Sequence, residues 1–145
     1  MQDELESLKF PIGKYKAMLD FNFSRTVEDI RTLESFAEAL RNSVKGLDKT
    51  DFKKSYRDGG MNIAQIIHHF CDTHTYAFLR TKHTLLEDNP SVKMYDVEEF
   101  LTTPDSNVLD IEDSLNVIDG IHAKWVSLLK TLSENELKKT YYHSS

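Results

Sequence analysis

The stretch Met61-Asn62-Ile63-Ala64-Gln65-Ile66-Ile67-His68-His69-Phe70-Cys71-Asp72-Thr73-His74 decides the reading of this chain. Asn62 and Gln65 have the spacing of a capping box, and Met61 with Ile66 has the spacing of a hydrophobic staple. Both mark a helix start. Ile63, Ile67, Phe70, Ala77, Phe78 and Leu85 then supply a buried face. Asp88-Asn89-Pro90 stops the run, so the helix is predicted to reach about Leu86. Just upstream, Tyr56-Arg57-Asp58-Gly59-Gly60 is a loop by composition.

Working outward, a first long helix is predicted from about Arg25 to Lys45, with Ser24 as its cap. Ile30, Leu33, Ala37, Leu40 and Val44 form its apolar stripe, and Gly46 is its stop. Residues 1–23 read as an N-terminal arm, and a short turn is expected over Asp48 to Lys53. On the other side, Glu87 to Leu109 is a long connection with room for one turn at Val97 to Leu101. A third helix is predicted from near Asp110, with Ile111, Leu115, Ile118, His122, Trp125, Val126 and Leu129 on its apolar side. Ser133 and Glu136 make a second capping box, opening a short helix, and Thr140-Tyr141-Tyr142-His143 reads as a surface tail. No segment alternates well enough to demand a sheet, so the chain is predicted to be all-α. Three long helices leave an apolar stripe uncovered in a bundle that normally holds four. Either the chain is a fragment, or it covers that face by dimerising or with its arm.

The bulk composition excludes several roles. The 145 residues suit one domain, 1–145. With 24 acidic against 18 basic residues and no basic cluster, nucleic acid is not an expected partner. No apolar run approaches the roughly 18 residues of a membrane span. The acidic N-terminus lacks the apolar region of a signal peptide, and Cys71 is the sole cysteine, so an internal disulfide is impossible. These features fit a cytoplasmic protein.

The chemistry, if any, lies with the six histidines, His68, His69, His74, His83, His122 and His143. His68 and His69 lie roughly 100° apart on a helix and cannot easily share one ion. His69 faces along Ile66, Thr73 and Tyr76, toward a possible cleft. Asp72, three residues on, is placed to hold its second ring nitrogen or to act as a base. The spacing leaves three readings open: a metal site, packed histidines, and a mixed pocket without metal. Cys71, in mid-helix, is far from either dipole end that lowers a thiol pKa and reads as packing. His122 reads as a packed, hydrogen-bonded histidine and Trp125 as core.

Four stretches then carry a resemblance. They are Phe10-Pro11-Ile12-Gly13-Lys14-Tyr15; Tyr56-Arg57-Asp58-Gly59-Gly60 running into Ile66 through His74; Glu87-Asp88-Asn89-Pro90 with Lys93 and Tyr95-Asp96; and His122-Ala123-Lys124-Trp125 followed by Leu128 through Ser133. In this order they resemble the metal-dependent hydrolases of the DinB-like superfamily, and within them the bacillithiol S-transferase branch. The resemblance implies an up-down-down-up four-helix bundle, often dimeric, with nickel or zinc held by three histidines. It implies His69 as the metal ligand from the second helix, eight residues after the family's tryptophan, which is Met61 here. It implies transfer of a low-molecular-weight thiol to an electrophile, or hydrolysis, with Asp72 as a catalytic candidate.

The departures bear on activity. No His-x-x-x-His occurs anywhere in the chain, and this pair is what the family's last helix contributes. That helix would lie beyond residue 145, and His143 resembles a residue that precedes it. The expectation is therefore an inactive chain as it stands, with weak metal binding or none unless a partner chain supplies ligands. The rival expectation is a non-catalytic helical binding or assembly protein.

Overall fold

Each long helix begins where a side chain can satisfy its free amides. The computed structural model describes residues 2–10, 12–14, 16, 20–92 and 95–143. A first helix, α1, covers Gln2–Lys9, inside the stretch expected to be an arm. Lys9 and Lys14 both pair with Glu6 beside it. The first long helix, α2, runs Phe23–Val44, and its cap is Asn22 rather than Ser24. Asn22 Oδ1 accepts from the Arg25 amide at 2.9 Å and is backed by extended backbone at φ −128°. Ser24 lies inside the first turn, where it cannot adopt the non-helical dihedrals of a cap. Gly46, with φ +85°, ends the helix as expected.

The short helix α3, Lys49–Phe52, has its own capping box from Asp48 and Asp51. The second long helix, α4, spans Ile63–Leu86 and opens with the predicted Asn62–Gln65 box. The predicted turn at Val97 is the helix α5, Val97–Phe100. A 3-10 turn follows at Pro104–Asn107. The third long helix, α6, is Glu112–Leu129, two residues later than predicted, with Asp110 accepting from the Glu112 amide. The helix α7, Glu134–Leu137, uses the Ser133–Glu136 box.

Contacts fix the helix directions. Arg41 reaches Glu112, Asn116 and Asp119, whereas Glu34, two turns earlier, meets Lys130, so α2 and α6 are antiparallel. His68 meets Ser114 and His74 meets His122, so α4 and α6 run parallel. The three long helices thus go up, down and down. α6 is the hub, packing along both neighbours, while α2 and α4 meet through rings such as Phe36 edge-on to Phe70. The core is Leu40 from α2, Ala64 and Ile67 from α4, and Leu115 and Ile118 from α6, with Ile111 just ahead. Burying one such branched side chain contributes about 1.5–3 kcal/mol.

The residues expected to form a surface tail do not run free. Tyr142–His143, β2, pairs in parallel with Ser91–Val92, β1, and the Tyr142 amide donates to Pro90 O at 2.9 Å. Lys139 Nζ donates to Leu85 O at 2.6 Å, one of the carbonyls that the end of α4 leaves unpaired. The two-residue pair leaves the chain essentially all-α.

Candidate functional site

The α4 capping box sets the rotation of every histidine after it. The Ile63 amide bonds Lys54 O at 3.1 Å, and Ser55 pairs with Asn62, so the helix start is pinned to the preceding loop. From there His68 turns toward α6. It is 6% exposed, with Nε2 at 3.1 Å from Val108 O and Nδ1 at 2.8 Å from Ser114 Oγ. A carbonyl only accepts, so Nε2 carries the proton and Nδ1 accepts from Ser114. Both nitrogens of His68 are committed.

His69 lies about 100° further round and is partly buried. Its Nδ1 is 2.8 Å from Tyr95 Oη and 3.4 Å from Thr73 Oγ1, and Tyr95 Oη also bonds Thr73 Oγ1. Tyr95 is wedged by Tyr76, stacked at 4.9 Å, and by Phe100, edge-on at 4.7 Å. Two proton orders satisfy this triangle, and the one with hydrogen on Nδ1 leaves Nε2 as a lone pair. Burial pushes the His69 pKa down, opposed by the charge of Asp72.

Asp72 does not hold the second nitrogen of His69. Among the described residues its carboxylate makes no hydrogen bond, and the nitrogen it was expected to hold is engaged by Tyr95. Burial, and then the neighbouring Asp105 charge, push its pKa up. Burial likewise pushes the Cys71 thiol up, away from the thiolate that a nucleophile needs.

One and a half turns after His69, His74 Nδ1 lies 2.6 Å from His122 Nε2, and His122 Nδ1 lies 2.8 Å from Leu33 O. This line ties α4 to α6 to α2. Phe36 stacks on His122 at 5.0 Å and tilts against His74 at 4.7 Å. Desolvation is the main cause that takes the His74 pKa down to about 4. Trp125, expected in the core, is partly buried, and its Nε1 is sealed from solvent without a partner.

A three-histidine metal centre can be tested against this donor set. Both nitrogens of His68 and of His122 are consumed by hydrogen bonds. His69 and His74 each keep one free nitrogen. Among the described residues no three His, Cys, Asp or Glu side chains converge on a point. The residues present do not make such a centre by themselves.

Comparison with known proteins places the chain. Residues 32–144 match the model of the DinB superfamily. The chain belongs to the DinB superfamily. A DinB relative from Geobacillus thermodenitrificans is 36% identical over 135 residues, covering 93% of this chain and 76% of the relative, and is named "Putative metal-dependent hydrolase". YfiT of Bacillus subtilis, with the same description, is 31% identical over 94% of this chain and 77% of its own length. The solved structure of YfiT superposes with a TM-score of 0.91 at 30% identity, over 95% of this chain and 79% of that one. It is described as "a probable metal-dependent hydrolase with an unusual four-helix bundle topology". This DinB chain carries its long helices α2, α4 and α6 up, down and down over the superposed length.

Sequence reading singled out His69 but missed Tyr95 as its partner and the His74–His122 pair. Tyr95 stood out only within the resemblance. The pairings join positions 26 and 48 residues apart, and local spacing carries no signal for them.

Proposed function

We propose that this chain carries the α4 half of a metal-dependent site, with His69 as its own ligand, and that it is not a complete enzyme by itself. The observation that carries the reading is the His69 ring. Its Nδ1 is held by Tyr95, itself braced by Thr73, Tyr76 and Phe100, and its Nε2 has no partner among the described residues. Ligating histidines are commonly oriented in this way through the nitrogen that does not bind the ion. The naming of the relatives as metal-dependent hydrolases supports the same class. The specific reaction proposed is transfer of a low-molecular-weight thiol to an electrophile, with nickel or zinc as the ion. Hydrolysis is the alternative on the same site. A second reading, a non-catalytic helical binding protein, is supported by the commitment of both nitrogens of His68 and of His122 to hydrogen bonds within the fold.

Metal content of the purified chain, measured by mass spectrometry beside a His69→Ala control, tests the proposal. The expected result is weak, sub-stoichiometric nickel or zinc that disappears in the control. Stoichiometric metal that survives His69→Ala overturns the assignment of His69. Metal absent from both, at any added concentration, favours the binding-protein reading.

A further inference from the structure

The His74–His122–Leu33 line has a property that the His69 triangle lacks: with both rings neutral, its protons can be ordered in one way only. Leu33 O is a carbonyl and can only accept, so His122 Nδ1 must carry hydrogen. In the neutral ring His122 Nε2 is then a lone pair. The nitrogen 2.6 Å from it, His74 Nδ1, must be the donor. His74 Nε2 is therefore left without hydrogen. His122 is 2% exposed, so nothing from solvent competes for its two bonds. The backbone of α2 thus dictates, through a buried ring of α6, which nitrogen of a ring on α4 is free.

That free nitrogen is not fully closed off from solvent. Among the described residues the only sealed and unpartnered side-chain nitrogen or oxygen is Trp125 Nε1, so His74 Nε2, which has no hydrogen bond, is not sealed. It lies on the same helix as His69, five residues further on. The Phe70 ring lies against both imidazoles, with centroids 6.4 Å from His69 and 5.8 Å from His74.

We infer that His74 is a second functional imidazole of α4, held by His122 as an obligate hydrogen-bond acceptor for a proton-donating ligand group. It accepts from an S–H, O–H or N–H and discriminates against the same molecule capped by a methyl group. A site built to pair a donor rejects the analogue that lacks it, because the site's own polar atom is then left unpaired. His122 is the positioning residue and His74 the group that touches the ligand. The choice of a thiol as the ligand rests on the function proposed above, whereas the proton order does not.

Nitrogen-15 NMR of the imidazole rings at pH 7, without metal, tests both parts. The wild-type chain is expected to show the proton on Nδ1 in both His74 and His122. In His122→Phe, which keeps a ring against Phe36 but cannot accept, His74 shifts to a mixture of tautomers. In His122→Gln the side-chain carbonyl can accept from His74 while the amide donates to Leu33, and the wild-type order returns. Benzyl mercaptan is expected to shift the His74 Nε2 resonance, and benzyl methyl sulfide to leave it unmoved. A wild-type His74 protonated on Nε2 overturns the inference, and this spectrum needs no variant to fold. Equal responses to the thiol and the sulfide, or none to either, overturn the acceptor role. Neither result depends on metal, so failure here is separate from failure of the His69 assignment.

Discussion

Burial, and then the neighbouring His122 and His69, set the proton count of His74. Its pKa falls from 6.5 to about 4 in the folded chain, mainly through desolvation. A histidine with a depressed folded pKa stabilises the fold fully above its unfolded pKa. That stability is lost as pH falls, because between about 6.5 and about 4 the unfolded chain binds the extra proton. The shift corresponds to at most about 3 kcal/mol, reduced by the part of the ring that solvent reaches. Urea midpoints are expected to hold near pH 7 and to fall through this window, and His74→Phe is expected to flatten the fall. At His69, Tyr95→Phe removes the hydroxyl's hydrogen bonds to His69 and to Thr73, costs about 0.5–1.5 kcal/mol for each by urea unfolding, and frees His69 to exchange its ring proton between nitrogens.

At the scale of elements, caps test the fold most sharply. Asn22→Ala should destabilise by about 1 kcal/mol, while Ser24→Ala, inside the first turn of α2, should change stability by less than about 0.5 kcal/mol. The reverse order in urea unfolding would return the cap to Ser24. The same contrast shows what could be read in advance. The boxes at Asn62–Gln65 and Ser133–Glu136 are local and fix helix starts from four residues of sequence. Asn22 and Ser24 both offer a suitable oxygen two residues apart, and only backbone dihedrals decide between them. The helix α1 lay in a segment with no cap signal. The partners of His69 and His74 depend on how α5 and α6 return to α4, which no local pattern encodes.

For the whole molecule, the central place of α6 implies one cooperative unit. Ile118, 1% exposed, sits where α6 faces the core residues of both neighbours. Ile118→Ala should cost about 2–5 kcal/mol. Trp125, the sole tryptophan, reports on α6 by fluorescence, while circular dichroism averages over all helices. The two signals should give coincident urea transitions in the wild type and in Ile118→Ala. Separate transitions would mean that α2 or α4 melts away from the hub independently.

The antiparallel seating of α2 on α6 also has a consequence for how the chain is made. Arg41 meets residues 71 to 78 positions later, and Glu34 meets Lys130, 96 positions later. Synthesis proceeds at about 5–20 residues per second. The α2 stripe therefore waits roughly 4–20 seconds on the ribosome before its partner surface exists. During that interval Ile30 and Leu40, each 8% exposed in the finished fold, have no native cover from α6. Over that interval translation speed and chaperone capture, and not only equilibrium stability, bear on how much of the chain reaches its fold.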